Sequence, residues 1–239
     1  MLYFLGSPSG ITIEEFVDLG NNEHFSKLTC SVLPTVDYWK NMNNQISTNI
    51  IAEDYNICFE YPVKSIKKAK ASYTDVMLIS ESTSIAVESK WTEDVGFYCK
   101  DQKSERRDLV QRHWINMISS YIGKELKLQQ FEDIEYQLLH RVASACSLNK
   151  ENCIVVYQIF HNDKQRDCFI NEIHKLISVL GNTRIKFYID TVKIDFTDEY
   201  NNLNFIIKDM TKKERAEKIK ETIKRDNLFV FRTESLIQL

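Results

Sequence analysis

Two short apolar runs joined by a small polar turn constrain this chain more than any other part of it. Tyr73-Thr74-Asp75-Val76-Met77-Leu78-Ile79 leads through Ser80-Glu81-Ser82-Thr83 to Ile85-Ala86-Val87-Glu88-Ser89-Lys90-Trp91. β-Branched and aliphatic residues fill both runs, so each reads as a strand and the pair as a hairpin. No Asn-Gly or Asp-Gly lies between them, which favours a longer loop over a tight primed turn. Any even loop centred between Glu81 and Ser82 gives one register: Met77 faces Ala86, Ile79 faces Ser84 and Asp75 faces Glu88. An odd loop would turn Asp75 to the other face. Period-two alternation puts Glu88 and Lys90 on the same face, so Asp75, Glu88 and Lys90 converge.

Like charges directly opposite each other destabilise a sheet. Val76, Leu78, Ile85 and Val87 mark the other face as buried. Two carboxylates meeting there need a proton, a base or a cation. Lys90 supplies one positive charge. A hard divalent ion is a second source, since Mg²⁺ is held by one or two carboxylates together with water and phosphate. A solvated ion-pair cluster on an exposed hairpin would also accommodate these residues at little energetic consequence.

The pattern resembles the restriction-endonuclease-like superfamily, the PD-(D/E)xK nucleases, whose hallmark is an Asp on one strand and an acidic-x-Lys on the next. Asp75, Glu88 and Lys90 match those positions, and Thr74 stands where the family's Pro would be. An extended segment, Ile57 to Val63, precedes the hairpin, and a helix and a further strand follow it. That order is similar to the family's αβββαβ core and covers about residues 49–160. The resemblance implies an α/β fold with a mixed central sheet flanked by helices, a helical insertion and a C-terminal extension. It also implies metal-dependent phosphodiester hydrolysis by a DNA endonuclease of restriction or defence type. Asp75, Glu88 and the backbone carbonyl of Ser89 would hold Mg²⁺ or Mn²⁺, and Lys90 would orient the attacking water and stabilise developing charge. The family often draws a third acid from the helix before the first strand; Glu53 is the candidate there, with Glu60 on the strand as the alternative. On the helix after the acidic-x-Lys strand, Gln137 and Arg141 share a face and would support the site. A double-strand cutter would act as a homodimer, because one site cuts one strand at a time. The alternative function is a catalytically silent relative that binds nucleic acid or serves in assembly. An unrelated α/β protein with a chance match is the third reading.

The 239 residues suffice for one domain with its own core. A net charge of −3 argues against a general nucleic-acid coat. Local basic clusters flank the hairpin all the same: Lys67, Lys68 and Lys70 before it, Arg106 and Arg107 after it. These are candidate phosphate contacts, which add affinity without reading sequence. The alternative for each cluster is a solvated charged face. The six cysteines form no C-x-x-C pair, so reduced thiols in a cytoplasmic protein are expected and a zinc site is not. No secretory leader and no membrane-spanning run are expected either.

Apolar spacing predicts helices over Ile13 to Leu19, Val36 to Ala52, Ser104 to Ile122, Ile134 to Leu148, Phe169 to Leu180 and Lys212 to Arg225. Further strands are expected at Cys153 to Phe160, Arg184 to Val192 and Leu228 to Arg232.

Overall fold

The computed structural model describes residues 3–4, 11–40, 44–64, 66, 71–101, 104–160 and 163–239. A two-residue strand, β1 (Tyr3–Phe4), precedes four short helices: α1 (Ile13–Leu19), α2 (Asn22–Phe25), α3 (Val32–Lys40) and α4 (Gln45–Asn49). Three strands follow, β2 (Tyr55–Val63), β3 (Ser72–Ser80) and β4 (Thr83–Lys90). Two helices, α5 (Glu105–Ile122) and α6 (Tyr136–Cys146), lead to β5 (Asn152–Phe160). The chain continues through α7 (Asp163–Leu180), β6 (Lys186–Phe196), α8 (Asp198–Ile206), α9 (Lys212–Arg225) and β7 (Phe229–Gln238).

The strands form one seven-stranded sheet whose spatial order follows the chain. β2, β3 and β4 are antiparallel neighbours, β4, β5 and β6 are parallel, and β7 returns antiparallel at the edge. This is the mixed, helix-flanked α/β sheet that the patterning implied. Alternation along the strands loads both faces. Val76, Leu78, Ile85, Val87 and Val156 pack with Phe16, Val36, Trp39 and Ile46 from the first helices and with Leu203, Ile219 and Ile223 from α8 and α9. Met77, Ala86, Val155, Tyr157 and Phe187 pack with Trp114, Ile118, Leu138, Val142, Phe169 and Leu176 from α5, α6 and α7. Each Val, Leu, Ile, Met or Phe among them contributes roughly 1.5–3 kcal/mol when fully buried. β4 lies inside the sheet and is buried along its whole length, charged residues included.

Local chemistry explains several boundaries. α5 opens on Ser104, whose side chain accepts from Arg107 N, and stops at Gly123 with φ +69°. The expected helix from Val36 to Ala52 is instead two helices. α3 begins four residues earlier, with Pro34 in its first turn, where no intrahelical donor is required. α4 then restarts on Asn44, whose side chain accepts from Ser47 N at 3.0 Å. α8 was not anticipated; Thr197 caps it by accepting from Tyr200 N. β7 runs well beyond Arg232 and carries a register shift: Thr191 pairs with Ser235 and Val192 with Thr233, leaving Glu234 over. All six cysteines are free. Among the described residues, no helix is long and apolar enough to cross a membrane.

Candidate active site

The hairpin closes with the even register. Met77 pairs with Ala86 and Ile79 with Ser84, and the ladder ends at Val76–Val87. The same offset sets Asp75 opposite Glu88. There β3 and β4 stop pairing, and the Asp75 side chain takes over: its Oδ2 accepts from Ser89 N at 2.9 Å. On the other side, Phe59 pairs with Val76 and Tyr61 with Thr74, so Glu60 falls beside Asp75. Glu60 has a left-handed φ of +46°, a backbone state that costs an L-residue about 1–2 kcal/mol. Glu60, Asp75 and Glu88 therefore form one row across three strands.

Two cations from different sources answer these charges. Glu88 is 2% exposed and Lys90 4% exposed. Lys90 Nζ lies 2.8 Å from Glu88 Oε1. The guanidinium of Arg141, on α6, bonds Glu88 Oε2 and lies 3.7 Å from Asp75 Oδ1. Arg141 Nη1 also donates to the Tyr73 carbonyl at 2.9 Å. One turn earlier on α6, Gln137 Oε1 accepts from Lys90 Nζ at 2.7 Å. The face shared by Gln137 and Arg141 thus closes over the acid row, with Gln137 holding Lys90 and Arg141 supplying the second cation.

Glu60 has neither a hydrogen bond nor an ion pair among the described residues. Burial, followed by the neighbouring Asp75 charge, pushes its carboxyl up to about 7. It lines a cavity of about 170 Å³ together with Asp75, Phe16, Cys30 and Phe59. That cavity adjoins a wider groove of about 510 Å³, which shares Glu60 and Phe16 and adds Leu19 and Tyr73. With its side chain 31% exposed, Asp75 is the most accessible member of the Asp75–Glu88–Lys90 set.

The segment after β4 is pinned to the same cluster. Gly96 N donates to Glu135 Oε1 at 3.0 Å, and Tyr157 OH donates to Glu135 Oε2 at 3.2 Å. Burial raises the Glu135 carboxyl, against the pull of Lys90. A Cβ at Gly96 would stand 2.9 Å from Glu135 Oε1 and 3.3 Å from Gln137 Oε1, so any larger residue must displace the segment or one of these oxygens. His140, beside Ser72 Oγ at 3.1 Å, is held down to about 4 by burial and stays neutral. A polar chain lies behind the strand ends: Ser89 Oγ and Trp39 Nε1 both reach Gln158 Oε1, and Gln158 Nε2 donates to Asp190 Oδ2 at 2.7 Å. Burial pushes Asp190 up to about 6.

The other candidates fall elsewhere. Glu53 is not part of the row. It closes the hairpin turn, accepting from Ser82 Oγ at 2.6 Å, Thr83 Oγ1 at 2.9 Å and Ser82 N at 3.3 Å. Those bonds hold its carboxyl at about 2. The turn is five strand residues beyond Asp75, roughly 15 Å away. Ser89 meets Asp75 through its N–H. Arg106 and Arg107 are exposed in the first turn of α5. Lys67, Lys68 and Lys70 lie outside the described residues. Glu135, Gly96 and Tyr157 were not picked out from sequence. Glu135 looked like an ordinary helix residue, and Tyr157 like one more apolar residue of a buried strand.

Among the described residues, no three His, Cys, Asp or Glu side chains form a ligating cluster. The donor chemistry nevertheless suits a hard cation. Three carboxylates share the row against two basic side chains, and Glu60 has no counter-charge bonded to it. Mg²⁺ needs only one or two carboxylates beside water and phosphate.

Fold and site together define a mixed α/β protein with a buried acid–base cluster where a central hairpin opens. The family model described as Domain of unknown function (DUF6946) matches residues 12–223, and the chain belongs to that family. No curated protein matches the chain, and no solved structure does.

Proposed function

We propose that this protein is a metal-dependent nuclease of the restriction-endonuclease-like type, hydrolysing phosphodiester bonds in DNA. The observation that carries the reading is the Asp75–Glu88–Lys90 constellation at the point where β3 and β4 part. The helix–strand–strand–strand–helix–helix–strand order from α4 to β5 supports it as well, with α5 and α6 where an αβββαβ core has one helix.

Asp75 and Glu88 would hold Mg²⁺ or Mn²⁺, with Glu60 as the third acid in place of Glu53. Bound there, the ion supplies a water of lowered pKa and withdraws charge from the phosphoryl oxygen. Lys90 has three N–H donors, and Glu88 and Gln137 engage two of them. The third would serve the attacking water or a phosphoryl oxygen where charge grows. Glu88 and Gln137 act by positioning that amine. Arg106 and Arg107 would contact phosphates away from the reacting bond.

Cleavage of supercoiled plasmid with Mg²⁺, Mn²⁺ or EDTA tests the reading. Nicking that needs metal and is lost in Asp75→Ala and Lys90→Ala is the expected result. Activity that survives both substitutions, or its absence with either metal, overturns it. A second reading is a silent DNA-binding or assembly module, favoured by the fact that both Glu88 oxygens already have protein cations. Retention of the plasmid without cleavage is its signature. A homodimer is expected for double-strand cutting, and sizing with and without DNA checks it.

A further inference from the structure

Arg141 lies between the two carboxylates that the metal reading assigns to the ion. Its guanidinium bonds Glu88 Oε2 and faces Asp75 Oδ1 at 3.7 Å. A cation shared by Asp75 and Glu88 would need that same gap. We infer that Arg141 is a built-in stand-in for the divalent ion, holding the acid row together in the metal-free chain and leaving the gap when metal binds. The inference rests on the metal-site reading and adds a competitor to it.

Three features favour exchange over coexistence. Arg141 is 2% exposed, so little water screens its charge from an ion placed beside it. Lys90 already occupies Glu88 Oε1, so Glu88 has no second oxygen free of a basic partner. Arg141 Nε is buried without a hydrogen-bond partner, so the guanidinium is not fully satisfied where it sits. The bond from Nη1 to the Tyr73 carbonyl is independent of both acids and can hold the side chain at the rim after displacement. A displaced guanidinium there would meet the phosphate of an incoming strand, whose oxygens its planar fork can engage in two parallel hydrogen bonds. Metal and substrate would then reinforce each other: the ion frees Arg141, and the phosphate keeps it from returning.

The test is Mn²⁺ binding to the full metal-free chain, read by the electron paramagnetic resonance of free Mn²⁺ without DNA. Arg141→Gln removes the competing charge and should bind Mn²⁺ about tenfold more tightly than wild type, or better. Arg141→Lys keeps one charge near Glu88 but cannot bridge two carboxylates; it should also bind more tightly. Adding Asp75→Asn to Arg141→Gln should erase the gain. Equal or weaker binding in both Arg141 variants, with wild type binding Mn²⁺, overturns the inference and leaves the metal reading standing. If no chain binds Mn²⁺, the metal reading fails and the inference with it. If Arg141→Gln is unfolded without metal, refolding by Mn²⁺ in a circular dichroism melt supports the exchange. Recovery only when Glu88→Gln is added overturns it.

Discussion

Replacing Gly96 with Ala probes how the segment after β4 is seated on the site. The new Cβ would stand 2.9 Å from Glu135 Oε1 and 3.3 Å from Gln137 Oε1. Neither oxygen is free to yield. Glu135 is fully buried and also holds Tyr157 OH, and Gln137 Oε1 holds Lys90 Nζ at 2.7 Å. The segment must therefore back away, and the bond from Gly96 N to Glu135 is lost. A hydrogen bond to a charged group is worth about 1.5–3 kcal/mol. Against this, Gly→Ala gains about 0.4–1 kcal/mol by restricting the unfolded chain. The net expectation is a loss of about 1–2 kcal/mol, read by urea denaturation as a lower midpoint at unchanged slope. On the proposed function, cleavage by the folded protein should be retained, because Gln137 keeps its bond to Lys90 Nζ. A Gly96→Ala protein as stable as wild type, or more stable, would mean that the entropy gain acts alone and the close seat does not exist.

Three further outcomes are expected. Asp37 accepts from Leu228 N at 2.8 Å and Phe229 N at 2.9 Å, so Asp37→Ala leaves two buried donors unpaired and should cost about 3 kcal/mol in urea denaturation. Glu60 keeps its proton to higher pH when folded than when unfolded, so its contribution to stability falls between pH 4.5 and about 7, against the rise that His140, held down to about 4, contributes up to about pH 6.5. At about 1.4 kcal/mol per pH unit, and allowing for partial exposure, the Glu60 contribution should be about 2 kcal/mol, so Glu60→Gln should gain about 2 kcal/mol relative to wild type between denaturation curves at pH 5 and at pH 8. Tyr157→Phe removes the hydroxyl that Glu135 accepts from at 3.2 Å and should lower stability by about 1–2 kcal/mol in the same assay.

The hairpin was legible because its register depends on loop parity alone, and an even loop allows one face-to-face set. Strand identities followed mainly from β-branched and continuous apolar runs such as Cys153 to Phe160, since each face of the sheet meets its own core. Glu53 was misplaced for a physical reason: closeness in sequence to β2 does not reveal which end of the hairpin a carboxylate reaches. Hydroxyls and a backbone N–H at Ser82 and Thr83 outcompeted the acid row for it. Glu60, the alternative on the strand, owes its place to the pairing of Phe59 with Val76 and Tyr61 with Thr74; its positive φ is a state that no pattern of residue types announces at a glutamate. Arg141 and Gln137 were visible as one helix face, but their grip on Glu88 and Lys90 depends on how α6 lies across the strands. The break between α3 and α4 was readable in principle from Asn44, a good N-cap inside what looked like a continuous apolar stripe.

β7 is a ten-residue edge strand with Val230 and Ile237 exposed. An edge of that length is a template on which any extended chain could grow. The leftover Glu234 interrupts it midway, so the amide spacing on one side of the offset is out of step with the other. A straight strand can follow only half of this edge before losing its partners, and Arg232 and Glu234 meet it there with exposed charges. The offset therefore acts as a terminator for sheet growth. On the proposed function, two copies acting on a duplex would meet through another surface, leaving this border unpolymerised.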